Sequence, residues 1–183
     1  MPPRLERYCL FDTAIGPCGI AWTEQGLTRL QLPASDRATT ERRVRSRTSG
    51  SGPHVPPPAI AEVIAAIRRY MAGERVDFYA VAVDLTGVSA FHRRLYDALR
   101  SVGWGQTTTY GELARRLGLP DARDVGQAMG KNPVPVVIPC HRVLAAGNRI
   151  GGFSAPGGSL TKERLLALEG VRLDGNAPRL PGL

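Results

Sequence analysis

The sequence has few cysteines, no long apolar run and no recognisable export signal. Only three cysteines occur among 183 residues, an odd number without disulfide-like spacing, which indicates a reducing cytoplasm. No apolar run is long enough to span a membrane, and the N-terminal stretch MPPRLERYCLF has no signal-peptide core. We therefore expect a cytoplasmic protein with no membrane partner.

Acidic residues are also in deficit. The chain has 16 Asp and Glu against 24 Lys and Arg, which gives a net charge of +8 and a pI near 10.1. Its 43% hydrophobic and 22% charged residues are ordinary for a globular protein. The basic excess favours a polyanionic partner, with nucleic acid as the leading candidate. The alternative is a solvated basic surface, or charge concentrated in one loop.

Three short strand-like runs fill the first part of the chain. RYCLFDT, GIAWTEQ and LTRLQLP are separated by the turn signals IGPC and EQG, which predicts a β-meander. Residues 33–58 then have almost no apolar side chains, so we predict a flexible basic loop there. The loop holds five arginines, namely Arg37, Arg42, Arg43, Arg45 and Arg47.

Helical and strand-like patterns alternate after this loop. Apolar residues recur at helical spacing as far as Gly73, and YAVAVDL then alternates like a strand. A further helix is predicted from Ser89. The residues that carry the two helical patterns are Ile60, Val63, Ile64, Ile67 and Met71, and then Phe91, Leu95, Leu99 and Val102.

A helix-turn-helix candidate lies in TTTYGELARRLGLPDARDVGQAMGKN. Thr109 and Glu112 form a capping-box pair, and Gly118 suits the left-handed position that ends a helix. Pro120 and Asp121 open a second short helix. Its expected inward residues are Ala122, Val125 and Met129, and its expected outward residues are Arg123 and Gln127.

The segment NPVPVVIPCHRV leads a rigid apolar run to Cys140 and places His141 directly after it. A free thiol has a pKa of ~8.5, so an adjacent histidine that takes the proton, itself oriented by a third group, would activate it. Glu169, at the end of TKERLLALEG, is the candidate third group. Cys9 and Cys18 have no neighbouring base, and we interpret them as structural. For a Cys-His dipeptide alone, a packed core cysteine is the alternative.

This segment resembles the active-site segment of the O6-alkylguanine-DNA alkyltransferases, also called methylated-DNA–protein-cysteine methyltransferases. TTYGELA, ARDVGQAMGKNP, GGFSAPGG and KERLLALEG occur in the family's order and at nearly its spacing. The resemblance is strong over residues 89–170 and looser before them. It implies an α/β (α+β) fold, in which a small N-terminal β-sheet with a helix precedes a winged helix-turn-helix-like domain. We place the N-terminal strand-helix domain at 1–86, the DNA-binding and alkyl-acceptor domain at 87–175, and a tail at 176–183.

The resemblance also implies roles for individual residues at the thiol. Cys140 would be the nucleophile and alkyl acceptor, and His141 would take its proton through a water molecule, oriented by Glu169. Tyr110 would donate a proton to ring nitrogen 3 of the guanine. Asn132 would hold backbone groups together in the turn before the active-site loop, and it counts among the substrate-pocket residues.

Other residues would bind DNA or the flipped base. Arg123 would enter the duplex where the damaged nucleotide is extruded. The remaining DNA-binding candidates are Ala122, Gln127 and Arg142, and the remaining pocket candidates are Ser154, Phe153 and the carbonyl of Val143. Phe153 stands where many members carry tyrosine, and SAPGG is two residues longer than the common form of the lid.

The implied function is suicide repair of DNA, in which the alkyl group of O6-alkylguanine moves irreversibly to the protein's own cysteine. O4-alkylthymine is a second candidate substrate. We expect a bacterial-type cytoplasmic monomer that acts at the nucleoid on double-stranded DNA with alkylated guanine. We expect no cofactor, and no metal because the N-terminal region has two cysteines and no histidine.

Three other functions compete with this one. The first is an alkyltransferase-like protein that flags lesions for other repair machinery, a group that lacks the acceptor cysteine. The second is a Cys-His hydrolase, for which no oxyanion-hole motif is evident. The third is a transcription regulator signalled by cysteine methylation, which usually carries an added domain.

Overall fold

The N-terminal part of the protein is built on an antiparallel three-stranded sheet in the order β1-β2-β3. The computed structural model describes residues 5–46, 48 and 52–173. The strands are β1 (Arg7–Thr13), β2 (Gly16–Thr23) and β3 (Gly26–Gln31), so the predicted meander is confirmed. Gly26 has a φ of +140°, and a Cβ there would lie 2.5 Å from the carbonyl oxygen of Ala82. Only glycine fits this turn.

The predicted flexible loop at 33–58 is wrong where helix α1 (Arg37–Arg45) forms. Asp36 caps this helix by accepting a hydrogen bond from the Thr39 N–H. Val44 is fully buried against Tyr8 and Ala21 of the sheet. One cap and one buried valine therefore order a segment whose composition alone is typical of a loop. Arg47 and the predicted tail at 176–183 lie outside the described residues.

Helix α2 (Pro58–Met71) confirms the predicted first helix and packs against β1. Its buried residues are Ile60, Ile64, Ile67, Tyr70 and Met71. The strand predicted in YAVAVDL is wrong, because the segment makes one isolated bridge, between Val83 and Leu27. The Asp84 carboxylate that follows accepts a hydrogen bond from Thr23 Oγ1 at 2.5 Å.

The C-terminal part is mainly helical. Its elements are α3 (Ala90–Arg100), β4 (Thr108–Thr109), α4 (Tyr110–Leu117), α5 (Ala122–Met129), β5 (Val143–Leu144) and α6 (Ser159–Leu168), with short 3₁₀ turns at Cys140–Arg142 and Ala146–Asn148. The capping box of Thr109 and Glu112 is present, and Gly118 ends α4 with a φ of +70°. The predicted helix-turn-helix is therefore confirmed as α4 and α5.

One apolar core joins the two parts of the chain. Buried side chains of the sheet and α2 belong to the same cluster as those of α3, α4, α5, α6 and residues 134–143. The predicted mixed α/β class is confirmed. Among the described residues, no helix has the length and apolar character needed to cross a membrane. The shared core lets side chains of the N-terminal part reach the segment around Cys140.

Candidate active site

The chain enters the site through a tight buried turn. The Ile138 N–H donates to the Val134 carbonyl at 2.8 Å, and Val136 between them has a φ of +75°. A β-branched residue rarely adopts this conformation, so the turn is strained and must be held by its surroundings. Val134, Val136 and Ile138 are all buried, and this packing fixes the direction of the chain into Cys140.

Asn132 ties the turn to the thiol. Its Nδ2 donates to the Ile138 carbonyl at 2.8 Å and to Cys140 Sγ at 3.1 Å, and its Oδ1 accepts from the Val134 N–H at 3.0 Å. The two backbone partners fix which end of the amide faces the sulfur. The resemblance predicted that Asn132 holds the backbone; the contact with Sγ was not predicted, and it favours the thiolate.

Cys140 itself is a buried thiol with only 6% of its surface exposed. Burial raises its pKa, and the hydrogen bond from Asn132 and the positive charge of Lys162 oppose this only in part. The resting group is therefore protonated near neutral pH. A base must remove the proton when the sulfur reacts.

His141 is the base that the structure offers. Its side chain is fully buried, and Nε2 lies 2.7 Å from Oε1 of Glu169. Burial lowers its pKa, and Glu169 acts in the opposite direction. The ring is consequently neutral near pH 7. Its Nδ1 is buried and has no hydrogen-bond partner among the described residues, so its lone pair is open for a proton.

Glu169, at the end of α6, is the centre of the network. It accepts hydrogen bonds from Tyr70, His141, Arg142 and the Gly105 N–H. Burial alone raises the pKa of Glu169, but the hydrogen bonds from His141 and Arg142 outweigh it and lower the pKa to about 2. A carboxylate of such low basicity orients the histidine and does not take its proton.

The prediction that Arg142 contacts DNA is wrong. The residue is 6% exposed, its Nε and Nη2 each lie 2.9 Å from a Glu169 oxygen, and its Nη1 donates to the Val102 carbonyl. A buried carboxylate needs a cation close by, and Arg142 meets this need. Adjacency to His141 in sequence did not reveal that the side chain points inward.

Cys140 borders a cleft of about 290 Å³ between the two parts of the chain. Its lining from the C-terminal part includes Asn132, Pro135, Cys140, Phe153, Ser154, Ala155 and Pro156, and its lining from the N-terminal part includes Arg29, Gln31 and Arg43. The predicted pocket residues Asn132, Phe153 and Ser154 thus meet at the thiol. Val143 is not among the residues that line the cleft, and its carbonyl accepts a hydrogen bond from Lys162 Nζ.

Tyr110 and Lys162 flank the glycine-rich segment beside this cleft. The Tyr110 hydroxyl donates to the Gly152 carbonyl at 3.5 Å, a long bond that leaves it free to change partner. Burial raises the pKa of Tyr110, and so does its proximity to Cys140. The buried Lys162 Nζ donates to the carbonyls of Val143 at 2.5 Å and Gly152 at 3.2 Å. Burial lowers the pKa of Lys162 to about 8.

Lys162 was missed by sequence reasoning, although a signal existed. Lys162, Leu165, Leu166 and Glu169 follow the i, i+3, i+4, i+7 spacing of one helical face. Both leucines are buried, and both charged residues are buried with them. Charged residues in the apolar positions of a helix therefore pointed to the site.

Helix α5 presents the predicted DNA-facing residues to solvent. The Arg123 side chain is 87% exposed and its Nε lies 2.6 Å from Oδ2 of Asp121. Gln127 is exposed and Ala122 is half-buried. Asp121, the N-cap of α5, therefore forms an ion pair with Arg123 that the sequence did not predict. Among the described residues, no group of three or more His, Cys, Asp or Glu is placed to hold a metal ion.

Comparison with known proteins agrees with this geometry. Family models described as the ribonuclease-like domain and the DNA binding domain of 6-O-methylguanine DNA methyltransferase match residues 7–85 and 90–171. A methylated-DNA–protein-cysteine methyltransferase of Methanothermobacter thermautotrophicus is 36% identical over 157 residues, covering 86% of this chain and 81% of the relative.

Two further relatives extend the match. A Thermus thermophilus DNA base-flipping protein is 40% identical over 159 residues, covering 87% of this chain and 97% of its own. A crystal structure of Mycobacterium tuberculosis OGT in complex with DNA has a TM-score of 0.71 at 34% identity, covering 89% of this chain and 92% of that one. The chain therefore belongs to the 6-O-methylguanine DNA methyltransferase family.

Proposed function

We propose that this protein repairs alkylated DNA by moving the alkyl group of O6-alkylguanine to Cys140 in a single irreversible turn. The observation that carries the proposal is the arrangement around the thiol. Cys140 borders a cleft, Asn132 donates to its sulfur, and the neighbouring His141 is neutral with an open Nδ1. Such a site has a nucleophile, a proton acceptor and a cleft with room for a nucleobase.

The reaction follows from these groups. Sγ attacks the alkyl carbon on O6, so that the carbon–sulfur bond forms as the carbon–oxygen bond breaks. His141 takes the thiol proton at Nδ1, through a water molecule, and Glu169 holds the ring by Nε2. Tyr110 donates a proton to the departing guanine, which therefore leaves neutral. The proton that His141 took from the thiol then replaces the one that Tyr110 lost, so that both side chains return to their neutral forms. The products are guanine and a thioether on Cys140.

The thioether explains why one turn is expected. A disulfide or thioester is opened by a second nucleophile, but a thioether offers no comparable leaving group. Cys9 and Cys18 lie in β1 and β2, and neither lines the cleft that Cys140 borders. Each protein molecule therefore accepts one alkyl group.

Helix α5 is the surface we assign to double-stranded DNA. The reactive carbon lies inside a stacked duplex, so the nucleotide must leave the stack, at a cost of a few kcal/mol. Arg123 and Gln127 are exposed on α5 and would fill the gap and contact the backbone. The net charge of +8 supports phosphate contacts without sequence preference. We further propose that the protein acts as a monomer at the nucleoid of a bacterial-type cytoplasm. The boundary between its N-terminal domain and its DNA-binding domain is proposed to lie near residue 87.

Lesion binding without transfer is the second candidate. It is considered because the Thermus thermophilus relative is named for base flipping and not for methyl transfer. Cys140 argues against it, because a protein that only binds needs neither a thiol at the cleft nor a buried base beside it. Transfer is the function that uses the whole network.

Intact-protein mass spectrometry tests the proposal. The protein is mixed with excess duplex that carries one O6-methylguanine, and we expect the mass of one methyl group on the peptide with Cys140. Cys140→Ala should bind the lesion and gain no mass. Multiple turnovers, or methylation of Cys9 or Cys18, would refute suicide transfer at Cys140. Tight lesion binding by the native protein without a change in mass would establish the second candidate.

A further inference from the structure

Tyr70 brings a side chain from the N-terminal part into the catalytic network. Its hydroxyl donates to Glu169 Oε1 at 2.6 Å and lies 3.1 Å from His141 Nε2. The residue belongs to α2, 71 positions before the histidine and 99 before the glutamate. No role follows for it from the Cys140, His141 and Glu169 arrangement alone.

The ring of Tyr70 is held rigidly in place. It is fully buried, and it makes edge contacts with Phe78 at 5.6 Å and with Trp104 at 5.5 Å between ring centroids. The His141 ring lies 6.3 Å away in a similar edge orientation. Edge-to-face packing of this kind is favourable and fixes ring orientation. The hydroxyl therefore has a defined position relative to the imidazole.

The proton count around Nε2 identifies what Tyr70 does. A tyrosine hydroxyl has one proton to donate, and here it goes to Glu169 Oε1. Two oxygens lie near His141 Nε2, one from the Glu169 carboxylate and one from the Tyr70 hydroxyl. Because the hydroxyl proton is already used, both oxygens can only accept a hydrogen bond from Nε2. Nε2 must consequently carry the hydrogen of the neutral ring, and Nδ1 must be unprotonated.

We infer that Tyr70 is a positioning residue that fixes the tautomer of His141, so that the open Nδ1 receives the thiol proton. This inference rests on the proposed function for its effect on rate, and it makes a residue of the N-terminal part necessary for efficient chemistry in the C-terminal part. Without the hydroxyl, Nε2 loses one of its two acceptors and Glu169 loses one donor.

Tyr70→Phe tests the inference, with Tyr8→Phe as the matched control. Tyr8 is equally buried and its hydroxyl also lies against a glutamate, at 3.2 Å from Glu41 Oε1, but it contacts none of the catalytic residues. We expect Tyr70→Phe to slow single-turnover methyl transfer about tenfold, a part of the 10²–10⁴ that a positioned base contributes. Lesion binding should be unchanged, and Tyr8→Phe should react as the native protein does.

The pH dependence of transfer separates positioning from simple destabilisation. The groups that face His141 are Tyr70, Glu169, Arg142, Lys162 and Cys140. In Tyr70→Phe, Glu169 loses the hydrogen bond that the hydroxyl donates, so its negative charge is less neutralised and favours the protonated form of His141. The acid limb of the rate profile should therefore move to higher pH in Tyr70→Phe. A rate within twofold of the native rate, or a uniform loss with an unmoved profile, would overturn the inference.

A direct measurement of the tautomer needs no substrate. Long-range ¹H–¹⁵N spectra distinguish protonated from unprotonated ring nitrogens, and only His54, His92 and His141 contribute signals. We expect a protonated Nε2 at His141 in the native protein and a mixture of tautomers in Tyr70→Phe. A protonated Nδ1 in the native protein would overturn the inference. Failure of the native protein to transfer methyl groups would instead refute the proposed function, and the spectra would still decide the role of Tyr70.

Discussion

Replacing Glu169 with glutamine should destabilise the whole protein as well as slow transfer. The carboxylate is fully buried and accepts from Tyr70, His141, Arg142 and the Gly105 N–H. An amide accepts with one end only and presents two hydrogens to these donors. Arg142 would remain buried without a counterion, since its guanidinium is held between Glu169 and the Val102 carbonyl.

Two independent magnitudes agree for this change. The Glu169 pKa falls from its ordinary 4.5 to about 2 in the folded protein. This difference, 4.5 − 2 = 2.5, corresponds to about 3 kcal/mol at roughly 1.4 kcal/mol per pKa unit. Removing one partner of a buried ion pair typically costs about 3–5 kcal/mol. We expect a loss near the lower figure, or about 10 °C in Tm for a chain of this length.

The sign of the pH dependence follows from the same shift. Because the folded pKa of Glu169 is depressed, its stabilisation is fully present above about pH 4.5 and is lost as the pH falls toward 2. The difference in unfolding free energy between native protein and Glu169→Gln should therefore shrink in acid. Between pH 7 and pH 3 we expect it to fall by about 2 kcal/mol.

Urea unfolding at these two pH values is the assay. Glu62→Gln, an exposed change on α2, should shift stability by no more than about 0.5 kcal/mol. Glu169→Gln combined with Arg142→Met should recover part of the loss, since no unpaired charge stays buried. Equal midpoints for native protein and Glu169→Gln would refute the assignment of Glu169 as the partner that stabilises Arg142.

Three further outcomes are expected. Lys162→Met should slow transfer in single-turnover assays at pH 7. Cys140 would lose a nearby positive charge, and the carbonyls of Val143 and Gly152 would lose their shared donor; an unchanged rate would contradict this. Arg123→Ala should lower repair of duplex lesions far more than reaction with free O6-benzylguanine, and equal losses would show that Arg123 was misassigned. Raising salt should weaken binding to damaged and undamaged duplex alike, whereas a flat titration would remove the nucleic-acid interpretation of the +8 charge.

The elements of the fold were predictable where the local pattern agrees with the tertiary structure. The meander, α2, α3 and the helix-turn-helix follow periodicity and capping signals. Helix α1 was not predictable from composition, because its order depends on Val44 packing against strands β1 and β2. The prediction for YAVAVDL was wrong for the opposite reason. Its residues alternate as in a strand, but Val83 alone in this segment forms a bridge, with Leu27.

The site was predictable in its sequence-local parts and missed in its long-range contacts. Cys140 and His141 are adjacent in a rigid segment, and Glu169 stands at a helix end. Tyr70 joins them from α2 only through the shared core, and nothing in its local sequence marks it. Arg142 was wrongly predicted to contact DNA because sequence does not show which way a side chain points beside a buried carboxylate.

What distinguishes the acceptor from the other cysteines is a partner for its proton. All three thiols are buried, and burial raises the pKa of each, to about 11 for Cys9 and about 12 for Cys18. A low resting pKa therefore does not select Cys140. Asn132 and Lys162 favour its thiolate, and His141 offers an open nitrogen. The thiol is therefore protonated at rest, and His141 is the group that we propose takes its proton when Cys140 reacts.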